Sequence, residues 1–81
     1  MSRCILVAVS NAGSRCNVEI LPNDKVIDVL KRAKKELDFD LRDVTGVRSA
    51  GANPVSWLKK QEASELPEKV YLNKMDKVNR Q

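Results

Sequence analysis

Between Cys16 and Leu37 the apolar residues change their period. Cys16, Val18 and Ile20 alternate with Asn17 and Glu19, the two-residue repeat of a strand buried on one face. After Pro22 the apolar positions become Val26, Val29, Leu30, Ala33 and Leu37, the spacing of a single helical stripe. Pro22 cannot donate to a central ladder and so closes the strand; Asn23 or Asp24 is placed to cap the first helical amides, and the helix starts near Lys25. A one-sided strand followed at once by a one-sided helix must fold so that each covers the other.

The residues before this passage supply the strand's partner. "RCILVAVS" and "RCNVEIL" flank "NAGS", whose Asn, Gly and Ser suit the positive-φ positions of a hairpin turn. Antiparallel pairing is expected to set Ile5, Val7 and Val9 beside Ile20, Val18 and Cys16. Cys4 then lies on the opposite face from Cys16, and both remain thiols. A two-stranded sheet is only marginally stable in water, so the helix must pack on the hairpin's inner face, with Lys31, Arg32, Lys34 and Lys35 turned to solvent.

The remainder reads as a connection with Phe39 and Leu41 under the sheet, then a short strand from about Val44 to Ala50, weakened by Gly46 and Gly51. "NPVSWLKK" fits either a brief edge strand or a helical turn with Asn53 as cap and Pro54 in first position. "KVYLNKM", Lys69 to Met75, alternates Val70 and Leu72 against Tyr71 and Asn73 and forms the last strand. The expected fold is α+β: an N-terminal hairpin and one main helix packed across a mixed sheet of four to five strands, in one domain over residues 1–75 with a flexible tail at 76–81.

This order is a β-grasp pattern, and at Glu19-Ile20-Leu21-Pro22-Asn23-Asp24-Lys25-Val26 the chain resembles the strand-to-helix passage of ubiquitin and its relatives. Ala50-Gly51 is similar to the family's turn after the third strand, and "KVYLNKM" to its last strand. The segment from Ala52 to Glu68 aligns poorly. A narrower likeness links "ILVAVSNAGSRCNVEI" and the later "WL" to the ubiquitin-like header domains of crinkler effectors. Two departures qualify what the resemblance implies. The chain ends Asn79-Arg80-Gln81 rather than Gly-Gly, which implies a member that is not conjugated. The family's apolar recognition patch falls at Arg48 and Asn73, so receptors that insert apolar side chains would bury the Arg48 guanidinium without a partner.

Composition limits the chemistry. In 81 residues there is no histidine, and the two cysteines have neither an imidazole base nor the spacing of a metal site. Ser10 and Ser14 have no base, and Glu62, Glu65 and Glu68 follow an exposed spacing. No enzyme activity and no cofactor are expected. The longest apolar run, Cys4 to Val9, is too short for a membrane span or a signal-peptide core, which points to a cytoplasmic or nuclear monomer.

A net charge of +4 leaves two kinds of partner. The first is another protein, met by the outer sheet face through Leu6, Ala8, Arg48, Tyr71 and Asn73, with Tyr71 an exposed ring flanked by cations. The alternative is single-stranded nucleic acid, held by Lys31, Arg32, Lys34, Lys35, Arg48 and Lys74 with Tyr71 or Trp57 as stacking platform. Asp28, four residues before Arg32, is expected to pair with it. Arg42, Lys59, Lys60, Lys69 and Lys77 widen the basic surface.

Overall fold

A computed structural model describes residues 3–9 and 13–74; Met75 and the expected tail at 76–81 lie outside them. Five strands, β1 (Arg3–Ala8), β2 (Arg15–Ile20), β3 (Val44–Ser49), β4 (Ser56–Leu58) and β5 (Lys69–Lys74), form one sheet in the order β2-β1-β5-β3-β4. The helix α1 (Val26–Ala33) links β2 to β3, and short 3₁₀ turns occupy Leu41–Asp43 and Ala63–Glu65. β5 runs parallel to β1 and antiparallel to β3, so the last strand joins the hairpin to the rest of a mixed sheet. This is a small α+β domain. "NPVSWLKK" resolves as an edge strand.

Alternation works out as the sequence implies, and one register does not. Ile5 faces Val18 and Val7 faces Cys16, while Ile20 stands opposite Arg3. The expected pairing is displaced by two residues, and Val9 N–H meets the Ser14 carbonyl at 2.9 Å. A two-residue shift leaves every side chain on its own face, so apolar alternation cannot distinguish the two registers; only the turn can. Cys16 is buried, Cys4 is exposed, and neither is bridged.

Val26, Val29, Leu30, Ala33 and Leu37 are all buried, and they meet Ile5, Val7, Val18, Ile20, Val44, Val47, Val70 and Leu72 in one core between helix and sheet. Phe39 closes that core, with Leu41 and Trp57 packed at its margin. Lys34 Nζ donates to the Phe39 carbonyl at 2.9 Å, and Lys59 Nζ to the Leu41 carbonyl at 2.8 Å, pinning the connection beneath the sheet.

The passage into the helix differs from expectation at Asp24. Neither Asn23 nor Asp24 caps the helix; the position before its first residue is Lys25, whose N–H donates to the Asp28 carboxylate at 3.0 Å. Asp28 makes no ion pair with Arg32, although its charge still acts on the guanidinium. Asp24, 8% exposed, instead accepts from Leu21 N–H at 2.8 Å and takes both guanidinium nitrogens of Arg32, Nη2 lying 3.2 Å from Oδ1. Arg32 also donates to the Glu19 carbonyl at 3.0 Å, and Asp24's own carbonyl accepts from Ala63 N–H. The Arg32 hydrogen bond, assisted by Leu21 N–H and the guanidinium charge, holds the Asp24 carboxyl below its ordinary value of 3.8 despite burial.

Each sheet edge has backbone groups taken by its own chain. On β4, Gln61 Oε1 accepts from Leu58 N–H at 2.6 Å while Gln61 N–H donates to the Leu58 carbonyl at 3.0 Å. On β2, the Arg32 guanidinium sits on the Glu19 carbonyl. Beside the irregularity at Val44 and Gly46, β4 comes so close to β3 that a Cβ at residue 46 would lie 1.9 Å from the Trp57 carbonyl oxygen. Gly46 is therefore required by the β3–β4 contact. Gly51, with φ +110°, makes the turn after β3.

Leu30 is fully buried, so Leu30→Ala should cost about 2–5 kcal/mol in urea melts; a loss under about 0.5 kcal/mol would contradict the packing described. Asp24 makes a separate prediction. Because its folded-state pKa is depressed, the stabilisation from its pairing is present above the ordinary carboxylate value and is lost as pH falls through the depressed one. Asp24→Ala should destabilise the protein by about 2 kcal/mol or more at neutral pH and flatten the acid limb of a stability–pH curve.

Candidate functional site

With the helix on one face, the opposite face of the sheet carries the side chains that alternate out of the core. Registers place Arg15, Ala8, Tyr71, Arg48 and Ser56 in one row across all five strands. Leu6 lies in the neighbouring row, opposite Asn17 on β2 and Lys69 on β5. Asn73 stands opposite Gly46 and reaches Ser56 Oγ at 3.5 Å.

Tyr71 is the centre of this surface, in a different way from the exposed platform expected. It is 8% exposed, and Ala8 beside it 1%, yet neither belongs to the core beneath the helix. The ring is covered by cations. The Arg48 guanidinium lies 5.0 Å and Lys69 Nζ 5.4 Å from the ring centre. Positive heads are drawn to the negative face of the ring, and their aliphatic stems exclude water from it. Ala8 thus has almost no surface to offer a partner, whereas Leu6, Arg48 and Asn73 are half-buried and reachable.

The residues of the nucleic-acid alternative do not come together. Lys31, Arg32, Lys34 and Lys35 belong to the helix layer, and Arg48 and Tyr71 to the far side of the sheet; Lys74 is exposed at the end of β5. Two of the four helix-layer cations are occupied, Arg32 by Asp24 and Lys34 by the Phe39 carbonyl and ring, the latter at 5.7 Å. Phe39 and Tyr71 are buried and Trp57 is half-buried against the core, so no aromatic ring among the described residues stands fully exposed.

Lys69, expected only as part of a wider basic surface, joins this face, and so does Arg15, which was not expected in it. Lys69 precedes Tyr71 by two residues on one strand, a spacing that puts both side chains on one face and so is visible in "KVY". Arg15 required the hairpin register. Burial, with the Glu36 charge adding to it, pushes the Cys16 thiol up, as suits a small core residue. Among the described residues no group of three or more His, Cys, Asp and Glu is placed to hold a metal ion, and no helix is long and apolar enough to cross a membrane.

Compared with family models, curated proteins and solved structures, the chain gives no match.

The cation clamp on Tyr71 makes a stability prediction. Arg48→Met keeps an aliphatic cover but removes the charge, and should cost about 0.5–1 kcal/mol in urea melts. Arg48→Ala, which also uncovers the ring, should cost clearly more; equal costs would mean that the guanidinium adds nothing over its stem.

Proposed function

We propose that this chain is a ubiquitin-like β-grasp module that works by binding another protein through the outer face of its sheet. The hairpin, the single helix and the mixed five-stranded sheet support the fold reading, together with the passage from Glu19 to Val26. The observation that carries the function is the outer face itself. Leu6, Arg48, Lys69 and Asn73 surround a tyrosine whose ring is held between strands by two cations, combining a reachable apolar side chain with ordered charge. Arginine and tyrosine at the centre of a patch, with polar residues at its margin, are the composition of a protein-binding hot spot. Nucleic acid is the weaker reading, since Tyr71 is covered, Trp57 is half-buried against the core, and its cations are divided between two faces.

A photo-reactive p-benzoylphenylalanine in place of Leu6 should form light-dependent adducts with a protein in the cells that make this chain. Combining it with Arg48→Glu and Lys69→Glu should abolish those adducts, and the same probe in place of Lys35 should give none. Adducts from position 35 alone would move the binding surface to the helix. A parallel titration of ¹⁵N-labelled protein with a single-stranded oligothymidylate at low salt should leave the spectrum unchanged; shifts at Arg48 and Tyr71 would favour nucleic acid.

A further inference from the structure

The five strands contain a single carboxylate, Glu19, against Arg3, Arg15, Arg48, Lys69 and Lys74. Many of the other cations are answered locally, though among the described residues Lys31, Lys35 and Lys60 are not. Lys25 pairs with Glu62 at 2.5 Å, Arg32 with Asp24 and Arg42 with Asp40 at 3.0 Å, while Arg3, Lys34 and Lys59 donate to backbone carbonyls. Arg15, Arg48 and Lys69 have no ion pair among the described residues, and they share the outer face. Glu19 stands at the far end of β2 opposite Cys4, near Arg32.

Resting on the protein-binding reading above, we propose that the outer face takes an extended acidic segment of its partner, lying across the strands with carboxylates on Arg15, Lys69 and Arg48 and an apolar side chain on Leu6. Three observations converge on it. Two cations are held against one ring without a counter-charge, so an arriving carboxylate relieves their repulsion as well as pairing with them. Their stems are already ordered on Tyr71, so little side-chain freedom remains to be lost on binding. The spacing also fits an extended chain. Arg15 and Arg48 are separated by β1 and β5, three strand spacings or about 14 Å, which an extended peptide covers in about four residues. Lys69 is two residues from Tyr71 on β5 and directly opposite Leu6, so acidic and apolar side chains arrive together.

The test is fluorescence anisotropy at low salt with a labelled nonapeptide carrying glutamate at alternate positions and a central leucine, alongside its lysine counterpart. The acidic peptide should bind and the lysine peptide should not. Arg15→Gln, Arg48→Gln and Lys69→Gln should each weaken binding by at least about twofold, and physiological salt should weaken it further. Lys31→Gln with Lys35→Gln should leave it unchanged. Arg15 is not one of the two cations stacked on Tyr71, so its variant reports on binding even if the other two disturb the fold. No binding at low salt, equal binding of the lysine peptide, or an equal effect from the helix variants would each overturn the proposal. If the acidic peptide fails while light-dependent adducts from position 6 persist, the acidic segment is wrong and the protein-binding reading stands. If the adducts fail as well, both fall. An oligothymidylate that shifts the same residues and competes with the peptide would replace the acidic segment by nucleic acid.

Discussion

Asp24 is the one charged residue among those described that the fold buries, and the geometry of the first half of the chain depends on how it is satisfied. Its carboxylate closes the turn after β2 through Leu21 N–H, receives Arg32 from the last turn of the helix, and through Arg32 reaches the Glu19 carbonyl. Its backbone carbonyl holds Ala63 at the start of the second 3₁₀ turn. One residue thus ties the end of a strand, the turn, the helix and a distant loop. A buried carboxylate without its cation is expensive, so these contacts stand or fall together. The apolar stripe supplies the burial energy, and the Asp24–Arg32 pair ties the last turn of the helix to the turn after β2.

Against that background it is clear why some features could be read from the residues and others could not. Val26, Val29, Leu30, Ala33 and Leu37 show their common face because a helical period is a local property, and "KVYLNK" shows its alternation for the same reason. The hairpin register was hidden because shifting by two residues preserves alternation. Asp24 looks like a cap in sequence, since an acidic residue before a helix usually is one; the partner that outcompetes the amides is eight residues on, in the helix's last turn, and is brought close only by the turn after β2. The adjacent Asp28 and Arg32 illustrate the converse, for a favourable helical spacing yields to a buried, bidentate alternative.

The outer face was legible in its membership more than in its exposure. Leu6, Arg48, Tyr71 and Asn73 do lie on one side of the sheet, as alternation requires, but alternation cannot say whether a ring among cations stands free or is covered by them. Arg48 and Lys69 approach Tyr71 from β3 and β5, and their long side chains turn an aromatic platform into a positively charged lid over Ala8. The distribution of acids deepens the contrast. They gather in turns and loops, where they fasten connections, and leave the sheet to the cations.

The partly covered edges have a consequence beyond the single domain. With Gln61 holding both backbone groups of Leu58 and Arg32 seated on the Glu19 carbonyl, each border of the sheet has a position where a neighbouring copy's strand would meet a bond already made. Were several such units strung along one polypeptide, or crowded together on a scaffold, strand exchange between them would first have to break bonds that each unit already makes with itself. At those two positions the bonds work against strand exchange.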